Sequence, residues 1–162
     1  MGKQLTFDAA FERVIGHEAG YTAGKGDPGG ETKYGISKRQ YPHLDIQNLT
    51  LEQAKQIYLA DYWEKIPVEL PAYIKFQVFD FAVNSGMETA IRKLQQALAV
   101  ADDGYWGPIS TAALASTDKQ DLLMLYIAIR LEFMTSLSIW PTFGRGWARR
   151  QATNLRYAVE DN

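Results

Sequence analysis

Between Pro71 and Gly86 the chain reads PAYIKFQVFDFAVNSG, and this stretch constrains the fold more than any other. Pro71 suits the first turn of a helix and Gly86 suits its end, so the residues up to Asn84 form one helix. Ile74, Phe76, Val78, Phe79, Phe81, Ala82 and Val83 lie almost all the way round it. A helix that is apolar on all sides has to be enclosed by other elements. The spacing therefore predicts a buried central helix with the rest of the chain built around it. One polar stripe interrupts the apolar surface: Tyr73, Gln77, Asp80 and Asn84, at spacings of four, three and four. Buried polar groups need partners. The stripe either lines a cleft, where amides and acids bind the hydroxyls of a ligand, or forms an internal network that fixes helix packing.

The remaining elements follow from caps and periodicity. A first helix runs from Phe7 to His17 or Glu18, with Thr6 as N-cap; Phe7, Phe11, Val14 and Glu18 share one face. Residues 20 to 36 form an irregular or β-hairpin excursion, where Gly20 is followed by Gly24, Gly26, Gly29, Gly30 and Gly35. Thr50 and Gln53 make a capping box for a second helix, which carries Ala54, Ile57 and Tyr58 inward and ends near Trp63. Glu88–Val100 reads as an amphipathic helix, and DDGYWGP (102 to 108) as a tight turn whose Pro108 opens a short helix. A long helix spans Asp118 to about Ser136. After WPTFGRG, residues 140 to 146, a final basic helix reaches the C-terminus. The expected class is mainly α, with any sheet small and confined to the excursion. A soft boundary near residue 87 separates halves 1–87 and 88–162, or the two make one compact domain.

Composition excludes several classes. A chain of 162 residues can bury a sizeable core unaided. There are no cysteines and only two histidines, His17 and His43, so disulfides, thiolate zinc sites and His-based metal centres are not expected. The formal net charge is -2, which does not suit a general nucleic-acid binder. Arg145, Arg149, Arg150 and Arg156 nevertheless lie between Ile139 and Tyr157 with no acid among them. They read as a solvated helix face or as an attraction for an anionic polymer. The N-terminus lacks an apolar signal-peptide core, and Leu122–Met134 is broken by Arg130 and Glu132, too short and too charged to span a bilayer.

Two carboxylates stand out. Glu18 falls at the C-terminal end of the first helix's apolar stripe. Desolvation and the negative end of the helix dipole both disfavour its ionised form and raise its pKa, as a general acid requires. The alternative is a Glu paired with an Arg, or one exposed by a frayed last turn. Asp27 lies nine residues on, in TAGKGDPGGE, a loop able to fold back over a helix end. There it stays polar and ionised, or it simply serves the Asp-Pro-Gly turn. Opposed environments for two carboxylates are what glycoside hydrolysis uses. Thr32 near a base can hold a water. Sugar rings stack on aromatic faces, which makes Tyr34, Tyr62, Trp63, Tyr105 and Trp106 candidates, set against a place in the core.

Taken together, these residues resemble glycoside hydrolase family 108. HEAGYTAGKGDPGGETKYGIS (17 to 37) resembles its signature, with further matches at IYLADYW, VFDFAVNSG, LQQAL, DGYWGPIST and GWARRQATNL. The family comprises muramidases of phage endolysins and of bacterial secretion loci. Its catalytic Glu lies in a Glu-Gly-Gly-Tyr motif that maps onto Glu18, Ala19, Gly20 and Tyr21, with Ala in place of the first Gly. The order Glu18, Asp27, Thr32 resembles the triad of the phage-type lysozymes, although the Asp-to-Thr spacing is one residue shorter. The resemblance implies a lysozyme-like fold, a catalytic half followed by a helical peptidoglycan-binding half, and hydrolysis of the β-1,4 bond between N-acetylmuramic acid and N-acetylglucosamine. Tyr21, Tyr34, Trp63, Tyr73, Gln77, Asp80, Asn84 and Trp106 are then the expected substrate contacts. A lytic transglycosylase and a non-catalytic wall-binding module are the alternatives. Acid–base chemistry on a glycoside calls for no cofactor or metal. Peptidoglycan is the expected partner, without nucleic acid or membrane insertion. The chain is expected to be a monomer made in a host cytoplasm and passed by a holin or secretion machine to the wall in the periplasm.

Overall fold

The structure is a computed structural model that describes residues 4–16, 20–24 and 30–162. Among them are seven α-helices and one two-stranded antiparallel sheet. They fall into two compact units: Thr6–Lys65, and Ile66–Asn162 together with Gln4 and Leu5.

The first unit holds α1 (Phe7–Ile15), β1 (Thr32–Lys33), β2 (Ile36–Ser37), α2 (Leu51–Asp61) and a 3-10 turn at Trp63–Lys65. Thr6 caps α1 by accepting from the Ala9 N–H at 3.2 Å. Thr50 and Gln53 form the expected capping box at α2, with reciprocal bonds of 3.1 and 2.9 Å. The core is aromatic. Phe11 packs against Phe7 and Tyr58, Phe7 against Trp63, and Tyr58 against Tyr62, with centroids 5.6–5.9 Å apart. The described part of α1 stops at Ile15, with Gly16 as its cap. Glu18, expected on the same stripe, lies outside the described residues.

The second unit is a helical bundle around α3 (Ala72–Ser85). Ile74, Phe76, Val78, Phe79, Phe81 and Ala82 are fully buried, as the all-round apolar pattern demands. Packed against α3 are α4 (Met87–Ala97), α6 (Lys119–Ser136) and α7 (Trp140–Asp161), while α5 (Pro108–Ser116) follows the turn after α4. By packing, α3 therefore goes with the later helices, and the division between units falls after Lys65 rather than near residue 87. The reason is its girth of apolar side chains, which only neighbouring helices can cover.

Helix α7 begins earlier than expected. WPTFGRG reads as a loop, yet Trp140 already opens the helix and Pro141 fits its first turn, where no N–H is needed. Gly144 is buried beneath the Trp140 ring, and a Cβ there would stand 2.6 Å from ring atoms. That glycine marks close packing inside a helix, not a break in it. No helix among the described residues is long and apolar enough to cross a membrane.

Candidate functional site

The loop that carries Asp27 is closed at its base by a short zipper. Thr22 and Thr32 exchange both backbone hydrogen bonds, at 2.8 and 3.1 Å, extending β1 by one more bridge. Gly24 and Gly30 come so close that a Cβ on Gly24 would stand 2.3 Å from the Gly30 carbonyl carbon. Gly24 also has φ +77°, a conformation that side chains resist. Residues 25–29, Asp27 among them, lie outside the described residues. Their two flanks are joined.

The same neck is tied from its surface. The Tyr21 hydroxyl donates to Glu31 Oε1 at 3.0 Å, and that bond to an acceptor carboxylate raises the Tyr21 pKa. Thr32 donates its hydroxyl proton to the Gly30 carbonyl at 3.2 Å, which leaves its oxygen as the acceptor for anything else nearby. On the far side Tyr34 and Gly35 both have positive φ, 51° and 76°, the pattern of a type I′ hairpin turn. Tyr34 is held in this unusual conformation from below, where its carbonyl accepts the buried Tyr58 hydroxyl at 2.6 Å. The sequence singled out Tyr21, Thr32 and Tyr34 separately, and the structure gathers them on one hairpin. It adds Glu31, which sequence reasoning missed, although a carboxylate directly before Thr32 was a signal.

In the same unit, α1 and α2 frame a cleft of about 380 Å³ lined by Phe11, Glu12, Ile15, Leu51 and Glu52, with Asp8 and Lys55 paired at 2.8 Å. Ile15, at the end of α1, is one of its walls and lies three residues before Glu18 in sequence. Trp63, a candidate sugar platform, is 9% exposed and packs on Phe7, so it belongs to the core, as does Tyr62.

In the second unit the polar stripe of α3 divides. Asp80 is wholly buried and accepts from Arg130 Nη1 (2.8 Å), Arg150 Nη2 (2.8 Å) and Asn154 Nδ2 (2.7 Å). Gln77, also buried, donates to the Asn154 carbonyl at 2.8 Å. With its amide turned to accept, Gln151 takes Nε and Nη1 of Arg130 at 3.0 Å. Burial alone would raise the Asp80 pKa, but the Arg130 and Arg150 guanidiniums outweigh it and hold the carboxyl down at about 2. A carboxylate enclosed by two guanidiniums and an amide has no room for a substrate. Gln77 and Asp80 are therefore the internal network of the two alternatives, and Arg150 is its member rather than part of a solvated basic face. Tyr73 and Asn84, at the ends of the stripe, reach the surface. Tyr73 lines a hollow of about 340 Å³ with Lys75, Pro71 and Asp161, and burial raises its pKa.

The second piece of this unit with the form of a site is the turn 102–108. Gln95 of α4 reaches into it. Its Nε2 donates to Asp103 Oδ1 (3.1 Å), the Tyr105 carbonyl (2.8 Å) and Ser110 Oγ (3.2 Å), while its Oε1 accepts from the Gly104 N–H (2.9 Å). One side chain thus uses both ends of its amide to hold the turn. Trp106 is half-buried, and its Nε1 has no hydrogen-bond partner among the described residues. Tyr105 beside it is largely exposed.

Residues 11–86 match the family described as Glycosyl hydrolase 108. That segment contains the hairpin, α2, α3 and all of the residues lining the α1–α2 cleft except Asp8. A solved structure of SagA from Brucella abortus is similar over almost the whole length: 29% identity, 96% of this chain, 94% of that chain and a TM-score of 0.86. No curated protein matches the chain.

Proposed function

Starting from membership of the glycosyl hydrolase 108 family, which residues 11–86 carry, we propose that this glycoside hydrolase is a muramidase. It cuts the β-1,4 bond between N-acetylmuramic acid and N-acetylglucosamine in peptidoglycan. Glu18 gives its proton to the leaving oxygen. Asp27 takes the opposite role, activating a water on the other face of the sugar. Thr32, its own proton committed to Gly30, accepts a hydrogen bond from that water. Tyr21 and Tyr34 flank the sugar from the hairpin. The wall in the periplasm is the place of action, reached through a holin or a secretion machine.

The observation that carries the reading is the family match across the one segment that holds both carboxylates. The zippered neck at Thr22–Thr32 supports it, because it joins the two described flanks between which Asp27 lies in the sequence. The reading favours inversion, since a base-activated water needs carboxyls roughly 6.5–9.5 Å apart, against roughly 5–5.5 Å for a covalent route. Product analysis of digested peptidoglycan tests it. Reducing N-acetylmuramic acid ends released as the α-anomer support the proposal. A 1,6-anhydro product would assign a lytic transglycosylase, and wall binding without turnover a binding module.

A further inference from the structure

Helix α6 is apolar nearly all round, yet it lies at the edge of its bundle. Its outer side carries Met124, Ala128 and Leu131, all exposed, Met124 to 61%. Helix α7 packs antiparallel beside it, with Gln120 bonded to Asn162 at one end and Arg130 against Gln151 further along. The outer side of α7 carries Ala152, Leu155 and Val159, Val159 exposed to 79%. On each helix these residues recur at helical spacing and so form one stripe, and the two helices that carry the stripes are packed neighbours. Small residues in each stripe allow another helix to come close. Nothing in the fold of this unit requires such side chains to face water, and contiguous exposed apolar surface marks an interaction site.

The charges flanking the stripes identify the partner. The exposed charges beside the α6 stripe are acidic, Asp121 and Glu132. Those along the α7 stripe are mainly basic, Arg145, Arg149 and Arg156. A uniformly basic or uniformly acidic partner would suit one helix and be repelled by the other. A second copy of the same face, turned by a two-fold rotation so that α6 lies on α7 of its mate, satisfies both at once. We infer that the outer face of α6 and α7 is a self-complementary surface through which two copies of this chain associate. This departs from the monomer expected from the sequence.

The size of the face sets the strength. Helix α6 is about 27 Å long and packed helices stand about 8–10 Å apart, so the face covers on the order of 500 Å² per copy. Two such faces approach the lower end of specific interfaces, about 1,200 Å² in total. The dimer is therefore weak and dependent on concentration.

Sedimentation equilibrium of the full chain tests this. The wild type is expected to shift from one chain towards two as its concentration rises from ~10 µM to ~1 mM, and a Met124→Glu, Leu155→Glu variant to stay monomeric. A charge experiment fixes the pairing. Asp121→Lys with Glu132→Lys makes both flanks basic, and Arg149→Glu with Arg156→Glu makes both acidic. Each variant alone should raise the dimer dissociation constant about tenfold or more, and an equimolar mixture should restore association as a heterodimer. All these positions are exposed, and unchanged helical circular dichroism checks each fold. A wild type that stays monomeric at ~1 mM overturns the inference. So does a mixture that fails to pair, or a monomer that instead binds phosphatidylglycerol vesicles through this face.

Discussion

Thr22 and Thr32 are joined by a reciprocal pair of backbone hydrogen bonds, 2.8 and 3.1 Å long, across the loop that carries Asp27. The pair joins the two described flanks of an excursion rich in glycine into a closed neck. Gly24 sits at the narrowest point, where the backbone of Gly30 leaves no room for a Cβ. Gly24→Ala is expected to force the neck apart, at about 1–3 kcal/mol of local strain, and to lower hydrolysis more than it lowers the melting temperature. Wall-lysis rates beside thermal unfolding check this. Unchanged lysis would mean that the neck does not position the loop.

Asp80 governs the stability of the second unit. Removing its charge takes the anion from the buried Arg130 and the part-buried Arg150. Asp80→Asn should therefore cost about 3–5 kcal/mol, read by chemical denaturation. The same pair predicts a pH dependence. The folded carboxyl is held near 2, below its ordinary value of 3.8. Its contribution is thus fully present above about pH 4 and is lost as pH falls through about 2. On the order of 2 kcal/mol should disappear across that window. Acid titration of unfolding checks it, and the slope should be shallower in Asp80→Asn by the share that Asp80 contributes.

Gln95 predicts a local effect. Gln95→Leu keeps the bulk of the side chain but leaves the Gly104 N–H, Ser110 and Asp103 without their amide partner. A loss of about 1–3 kcal/mol is expected, concentrated in faster amide exchange over residues 102–110. Ser110→Ala should cost less, because only one of the four bonds ends on it. Equal losses for the two variants would contradict the central place given to Gln95.

These sites differ in how far they could be read in advance. The enclosed position of α3 and the capping box of α2 depend on neighbours within one helix turn, and both were legible. The fate of the polar stripe depends on Arg130 and Arg150, 50 and 70 residues away, which no local pattern connects to Asp80. Four arginines in a row of basic positions look alike in sequence, although one of them is turned inward. Pro141 and Gly144 carry the usual marks of a loop and are helical because Trp140 needs the space above Gly144. The Tyr21–Glu31 bond was hidden because the antiparallel return that brings them together spans the loop between them. For the loop motif itself, family resemblance added most: it linked Glu18 and Asp27 to one chemistry that neither helix periodicity nor turn composition could supply.

The central claim is that Glu18 is the general acid of a peptidoglycan hydrolase, and Glu18→Gln tests it most directly. The substitution keeps the size of the side chain and removes its ionisable proton. The account predicts a folded protein with an unchanged melting temperature that still binds purified cell wall, while release of reducing ends falls by about a thousandfold or more. Release of reducing ends at close to the wild-type rate by that folded variant would contradict the assignment.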